Sequence, residues 1–336
     1  MSLATKYRPK TWDEVTEQGI VVNILQSICS KDTIDNHNFL FIGSAGIGKT
    51  SLARIVAREI NNHVGEPIEI DAASNGSVES IRNIVEQARQ FPLIGKYKVF
   101  IIDECHAISS AGWSAFLKCI EETPPRSIFI FCTTNPEKIP DTILSRVQVF
   151  QLSKISLDGI NERLKYVVQK ENDCGAGIQY ADDALLYVSK LANGGMRDAL
   201  TLLDKVLAYD TKITMTSVVC ALNLPQYDTF FELLNAYVQK NNSKVVEIVD
   251  SVYNSGIDFV KWFEDWQSFI VNIVKFIYLQ DINKTIIPST YESKISKYTV
   301  KHAAVCLRLS NLLLKMIYEL KNTQHLQEIA LTYLCM

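Results

Sequence analysis

The sequence predicts an α/β domain built on a parallel sheet, followed by a half that is entirely helical. Three observations carry this. Thirteen of the 14 glycines lie at or before Gly195, and seven of the nine prolines at or before Pro140, so turn-rich sequence gives way to turn-poor sequence. Across the first 152 residues, short runs rich in β-branched and aromatic residues alternate with helix-like segments. From about Ser153 the apolar periodicity becomes helical.

The strand-like runs are Phe39-Leu-Phe-Ile42, Pro67-Ile-Glu-Ile-Asp71, Val99-Phe-Ile-Ile-Asp103, Ile128-Phe-Ile-Phe-Cys132 and Val147-Gln-Val-Phe-Gln-Leu152. Continuous apolar runs of this length, spaced for crossover helices, are what strands buried on both faces of a parallel sheet require. Ser51–Ile60, Val78–Gln90 and Gly112–Glu121 read as helices between them. Farther on, Asn193-Gly-Gly-Met-Arg-Asp198 interrupts helical sequence and reads as a helix–helix turn. Phe259, Phe263, Trp266, Ile270, Ile273 and Ile277 form one helical stripe, and Leu309, Leu313, Met316 and Leu320 another. Such stripes are packing surfaces, in a core or between subunits, far more often than cofactor boxes.

Composition narrows the function classes. With 47% hydrophobic and 21% charged residues in 336, the chain can bury a substantial core and is not a disordered one. A net charge of −3 argues against coating nucleic acid by bulk charge, though not against a local basic face. The eight cysteines form no Cys-x-x-Cys pair and lie at no zinc-finger spacing, which reads as free thiols in a reducing compartment. The most apolar stretch, Ser268 to Leu279, is broken by Asn272 and Lys275 and is too short to span a bilayer. The N-terminal residues carry no apolar signal core, so an intracellular protein without a membrane partner is expected.

Gly43-Ser-Ala-Gly-Ile-Gly-Lys-Thr50 matches G-x-x-x-x-G-K-[ST], between an expected strand and an expected amphipathic helix. The chemistry needs these residue types. Gly43, Gly46 and Gly48 let the backbone turn tightly, so that N–H groups from Ser44, Ala45, Ile47 and their neighbours through Ser51 converge on phosphate oxygens. The helix that follows presents its positive end to the same anion. Lys49 adds a charge for the β- and γ-phosphates, and the Thr50 hydroxyl suits Mg²⁺. Asp103 and Glu104 end an apolar run, where ligands bind in parallel sheets. There Asp103 can hold the Mg²⁺ shell and Glu104 can polarise an attacking water. An apolar run ending in Asp-Glu is ordinary by itself; beside the phosphate loop it points to binding and hydrolysis of ATP with Mg²⁺.

An ordered set of segments then carries a resemblance. Tyr7-Arg-Pro-Lys-Thr-Trp-Asp-Glu-Val15, the phosphate loop, Glu69-Ile-Asp-Ala-Ala-Ser-Asn75, Ile101-Ile-Asp-Glu-Cys-His106, Phe116-Leu-Lys-Cys-Ile-Glu-Glu-Thr-Pro-Pro125, Thr133-Thr-Asn-Pro136, Ile143-Leu-Ser-Arg146 and Gly195-Met-Arg-Asp-Ala-Leu200 follow one another. Over about residues 5–205 the chain resembles the gamma/tau type of subunit in bacterial DNA polymerase III clamp loaders and, more distantly, replication factor C small subunits. The resemblance implies an AAA+ ATPase in three parts: a nucleotide-binding α/β domain over residues 1–152, a helical lid over 153–212 and an all-α collar over 213–336. It implies a five-membered ring of like or unlike subunits that opens a sliding clamp and loads it on primer–template DNA. The setting would be the cytoplasm of a bacterium or of a phage-infected host.

Matching motif to motif adds further residues. Arg146 corresponds to an arginine finger that reaches the nucleotide of a neighbouring subunit, making hydrolysis conditional on assembly. Thr134 corresponds to sensor 1 and Arg197 to sensor 2; by themselves they would read as a turn residue and as a helix-start charge beside Asp198. Tyr7, Arg8 and Pro9 fall where relatives line the adenine pocket. Arg82 and Lys118 match helix positions that follow the DNA backbone in relatives, although a solvated helix charge is the plain alternative.

The chain also departs from the pattern. Asn61-Asn-His-Val-Gly-Glu66 stands where bacterial relatives insert a four-cysteine module, so no zinc is expected. Val147 replaces the cysteine after Ser-Arg, and Thr16-Glu-Gln-Gly19 replaces Gly-Gln near the adenine segment. The sequence ends at Met336, implying a compact form without the long tau-type extension. Two other readings are a non-hydrolysing, nucleotide-loaded scaffold subunit, and another AAA+ DNA-remodelling ATPase for branch migration or helicase loading. The complete set Lys49, Thr50, Asp103, Glu104 and Arg146 weighs against the scaffold, and the Glu69–Asn75 and Gly195–Leu200 segments favour the clamp loader.

Overall fold

A computed structural model of the chain describes residues 1–31, 33, 34, 36–224 and 227–335. Met336, the end of the expected compact form, lies outside the described residues. The chain divides into two compact units, one of residues 1–178 with 188–207 and one of residues 179–187 with 208–336.

The first unit is a parallel sheet covered on both faces. A helix α1 (Gly19–Cys29) leads to β1 (Asn38–Ile42), α2 (Lys49–Ile60), β2 (Ile68–Asp71), α3 (Val78–Ala88), β3 (Lys98–Asp103), α4 (Ser110–Glu121), β4 (Ser127–Thr133) and β5 (Gln148–Gln151). The strands lie in the order β2-β3-β4-β1-β5, every pair parallel. All five expected strands are present, each within two residues of the expected bounds. Helix α2 begins two residues earlier than expected, so that Lys49 and Thr50 belong to its first turn.

Period-two alternation splits the apolar strand residues between two cores. Phe39, Phe41, Ile101 and Ile130 pack with Leu25, Leu52 and Val56 on the face of α1 and α2. Leu40, Phe100, Ile102, Phe129 and Phe131 pack with Ile81, Trp113 and Phe116 on the face of α3 and α4. The second core is aromatic: Phe129 stacks on Phe100 at 5.1 Å between centroids and meets the edge of Phe116 at 5.1 Å. All seven residues of β4 are buried, which is why its sequence shows no polar face.

After β5 come α5 (Leu157–Asp173), β6 (Gln179–Tyr180), α6 (Asp182–Leu191), α7 (Met196–Tyr209), β7 (Lys212–Ile213) and α8 (Met215–Ala221). The turn expected over Asn193–Asp198 separates α6 from α7, with Asn193 and Gly194 at φ of 49° and 91°. Strands β6 and β7 pair in parallel within the second unit. Helical periodicity did not announce this ladder, because two residues per strand are too few to show alternation.

The rest of the second unit is α9 (Tyr227–Val238), α10 (Asn242–Asn254), α11 (Phe259–Leu279), α12 (Val300–Leu320) and α13 (Leu326–Cys335). Both expected stripes are buried within this unit, that of α11 closing around fully buried Trp266 and that of α12 packing against α11. The Trp266 indole donates to the Phe230 carbonyl at 3.2 Å, which satisfies its one polar group. Among the described residues, no helix is long and apolar enough to cross a membrane.

Candidate functional site

The C-terminal ends of β1, β3 and β4 converge on one edge of the sheet. Beyond β1 the chain turns through Gly43, Gly46 and Gly48, at φ of 155°, 73° and 107°. Gly46 and Gly48 need the left-handed backbone that a Cβ disfavours. A Cβ on Gly48 would meet nothing within 4 Å, so the cap of α2 opens onto free space. Helix α2 thus offers its first N–H groups, which have no partner within the helix, to whatever occupies that space.

This space is part of a cavity of about 390 Å³. Its walls include Ala45 to Ser51, Asp103 and Glu104, the N-terminal residues Tyr7, Arg8 and Pro9, and Arg197. Nine of the residues expected to bind nucleotide are Gly43 through Ser51. Of these, Gly43 and Ser44 sit behind the wall, where their carbonyls accept hydrogen bonds from Lys49 Nζ, each at 2.9 Å. Lys49 is only 6% exposed. Burial lowers its pKa below the ordinary lysine value, and the nearby charges of Glu104 and Asp103 act in the opposite direction.

The Thr50 hydroxyl donates to Asp103 Oδ2 at 2.7 Å, so the two residues expected to hold Mg²⁺ are already neighbours. A hydroxyl and a carboxylate are hard oxygen donors of the kind Mg²⁺ selects, and this ion commonly takes one or two carboxylates and completes its shell with phosphate and water. Both residues face the cavity, so the donor set fits the ion. Among the described residues, no group of three or more His, Cys, Asp or Glu side chains could hold a metal.

Glu104 leaves β3 with φ 47° and ψ 41°, a left-handed conformation that is uncommon for a residue with a side chain. Thr134, just past β4, shares its single hydroxyl hydrogen between Asn135 Oδ1 at 2.8 Å and Glu104 Oε2 at 3.3 Å, and does not itself line the cavity. The Arg197 backbone N–H donates to the Gly46 carbonyl at 3.1 Å, tying the start of α7 to the phosphate loop. This approach is close: a Cβ on Gly46 would stand 3.3 Å from Arg197 Cβ.

Arg146 lies elsewhere. Its guanidinium pairs with Glu121 at 2.6 Å and donates to the Thr142 carbonyl at 2.7 Å, and it lines no part of the cavity. Arg82 on α3 and Lys118 on α4 are exposed on packed, neighbouring helices. Among the described residues neither side chain makes a hydrogen bond or ion pair. Another cavity, about 460 Å³, lies by α1 and the β5 edge, lined by Asn23, Ser27 and Gln148. It has no glycine loop and no helix start.

Several residues at the site escaped the sequence reading. Glu171 accepts from Lys6 Nζ and the Tyr7 hydroxyl, each at 2.7 Å, and Asp204 accepts from the Leu3 N–H at 2.7 Å; together they pin the N-terminal wall. Gln18 exchanges bonds with Ser153, at 2.8 Å to its carbonyl and 3.1 Å from its N–H, while Glu17 accepts from the Ser156 N–H at 2.9 Å. The Thr16–Gly19 departure is therefore a clamp on the segment entering α5. Glu17 and Gln18 adopt φ of 59° and 62° to make it. The one sequence signal was that departure, since the partners lie more than a hundred residues away.

Comparison with known proteins agrees with this architecture. The profile of the family "DNA polymerase III, delta subunit" matches residues 67–156, and that of "DNA polymerase III clamp loader subunit, ATPase lid domain" matches residues 159–211. The chain is 32% identical over 313 residues to DNA polymerase III subunit gamma/tau of Mycoplasma genitalium, covering 86% of this chain and 51% of that protein. It is 32% identical over 325 residues to DNA polymerase III subunit gamma of Buchnera aphidicola subsp. Baizongia pistaciae, covering 90% of this chain and 84% of that protein. It thus spans about half the length of relatives such as the Mycoplasma protein. Among solved structures, the RuvB Holliday junction branch migration motor of Thermotoga maritima superposes with a TM-score of 0.54 at 19% identity, covering 69% of this chain and 79% of that one, a likeness of fold. Sequence and site together assign this chain to the DNA polymerase III gamma/tau family of clamp-loader subunits.

Proposed function

We propose that this chain is an ATPase subunit of a sliding-clamp loader. In this reading it binds ATP with Mg²⁺, hydrolyses it within a ring of clamp-loader subunits, and uses the cycle to open a sliding clamp and load it on primer–template DNA. The observation that carries the reading is the convergence on one cavity of a glycine loop at a helix start, a buried lysine, the Thr50–Asp103 pair and Glu104. Residues 1–152 serve as the nucleotide domain, 153–212 as the lid and 213–336 as the collar through which subunits assemble. The cytoplasm is the expected compartment.

The chain's own residues divide the work. Lys49 exchanges two neutral carbonyls for β- and γ-phosphate oxygens, stronger partners for a buried ammonium. Thr50 and Asp103 would hold Mg²⁺, which when bound would draw charge from the phosphate oxygens. Tyr7, Arg8 and Pro9 enclose the base. Glu104 accepts a proton from the attacking water, and Thr134 steadies its carboxylate. Arg197 couples the γ-phosphate to the lid through the same turn that already touches Gly46. Arg146, which lines no part of its own cavity, serves the nucleotide of the adjoining subunit. Arg82 and Lys118 contact the phosphate backbone of DNA.

The test is steady-state ATP hydrolysis with and without a cognate clamp and primer–template DNA. Both together should raise turnover severalfold. Turnover that neither ligand changes would overturn the assignment.

A further inference from the structure

The two oxygens of the Glu104 carboxylate are treated differently. Oε2 accepts from the Thr134 hydroxyl at 3.3 Å and stands 3.3 Å from His106 Nδ1. Among the described residues, nothing donates to Oε1. His106 Nδ1 also lies 3.1 Å from Thr133 Oγ1, and the imidazole is mostly buried behind the cavity wall, of which it forms no part. The Nδ1–Oε2 approach is an ion-pair distance rather than a formed hydrogen bond, and the donor between Nδ1 and Thr133 Oγ1 is set by the tautomer. An ionised carboxylate only accepts, so a favourable contact with it requires the hydrogen on Nδ1. Thr133 Oγ1 can accept from the same N–H while also accepting from the Asn135 N–H at 3.0 Å.

The backbone at Glu104 is constrained as well. Glu104 sits in a left-handed conformation, with its N–H bonded to Asp103 Oδ1 at 3.0 Å, and such conformations persist where the surroundings over-determine them. The turn Cys105–Ala107 begins at this residue and returns the His106 ring to the side chain two positions before it.

We propose that His106 is a positioning residue: its Nδ1–H, with Thr134, fixes one oxygen of the Glu104 carboxylate and leaves the other to receive the attacking water. The inference rests on Glu104 as the water-polarising group. A reacting group displaced by about 1 Å can lose on the order of 100-fold in rate, so the hold acts on the chemical step. Nucleotide affinity is set by other atoms, because His106 does not reach the cavity.

His106→Ala should lower kcat about 10- to 100-fold while leaving KM and the affinity for a fluorescent ATP analogue within about twofold. His106→Asn places an amide N–H near the former Nδ1 and should recover most of the rate. His106→Gln, whose amide lies where Nε2 was, should not. In the nucleotide-free chain, nitrogen-15 spectra of the imidazole should report the proton on Nδ1. Wild-type turnover in His106→Ala, equal losses in affinity and turnover, or an Nε2–H tautomer would each overturn the inference. Should the wild-type chain hydrolyse no ATP even with clamp and DNA, the functional reading fails instead, and the tautomer still decides the positioning claim.

Discussion

Arginine 146 offers the sharpest separation between chemistry within one chain and chemistry between chains. Its side chain is about one-third exposed, pairs with Glu121 at 2.6 Å and lines no part of the cavity of its own chain. Exposed ion pairs contribute about 0.2–1 kcal/mol, and 1 kcal/mol moves Tm by about 2–4 °C in a unit of this size. Arg146→Ala should therefore shift Tm by a few degrees at most and leave ATP binding by the isolated chain unchanged. Hydrolysis by the assembled protein should instead fall about 10³-fold or more, as removal of a trans-acting guanidinium does elsewhere. Lys49→Ala should be inactive for a different reason. It loses a charge-assisted donor worth about 1.5–3 kcal/mol, weakening nucleotide binding roughly 10- to 100-fold, and with it the charge that stabilises the transferring phosphoryl group, so turnover is lost even at saturating ATP. The decisive assay mixes the two variants under exchange conditions. A site is whole when an Arg146→Ala chain, with its loop intact, adjoins a Lys49→Ala chain, with its arginine intact. Random mixing at one to one makes about one interface in four whole, so the mixture should recover roughly a quarter of the wild-type rate where neither variant alone is active. A mixture as inactive as its components, or an Arg146→Ala protein that hydrolyses normally, would refute the reasoning.

Three further outcomes follow from the geometry. A Cβ at Gly76 would stand 2.6 Å from the Ala72 carbonyl oxygen and 2.7 Å from that of Ala107, both backbone atoms that no rotamer change can move. Gly76→Ala should thus cost about 1–3 kcal/mol, lowering Tm by roughly 2–12 °C, and should slow turnover because Ala107 ends the turn that follows Glu104; an unchanged melting curve would contradict this. Hydrogen bonds from Lys6 and Tyr7 hold the Glu171 carboxyl below its ordinary pKa of 4.5, so its contribution to stability is full above about that pH and is lost as pH falls through the lowered value. Hydrogen exchange, corrected for intrinsic rates, should find the 2–7 segment losing protection in acid, and Glu171→Gln should weaken the segment at neutral pH and remove that pH dependence. Among the thiols, exposed Cys174 and Cys220 should react first with a disulfide reagent, because burial raises Cys119 and Cys306 to about 11 and keeps Cys105 and Cys132 enclosed; early labelling of Cys105 would count against the fold of the site.

The elements readable from sequence were those whose information is contiguous. A buried strand declares itself in four to six neighbouring residues, and all five did so. The phosphate loop is eight consecutive residues whose backbone geometry demands glycine, and Asp103-Glu104 follows an apolar run that could end only at a sheet edge. The stripes on α11 and α12 were visible as stripes, but their sequence was equally suited to a core or to a neighbouring subunit. Burial of Leu309, Leu313, Met316 and Leu320 within their own unit decided between the two.

What sequence by itself determined, then, was the five strands of the main sheet with the helices read between them, the phosphate-binding loop and the carboxylates beside it, because each is encoded within one turn, strand or helix. Tertiary structure alone decided which distant groups complete the cavity. Leu3 finds Asp204, Tyr7 finds Glu171, Gln18 finds Ser153 and Arg197 finds Gly46 across more than 130 residues each. Polar side chains carry no mark of their partners in the chain. Only the packing of the sheet and its surrounding helices brings donor and acceptor within about 3 Å, where a hydrogen bond forms.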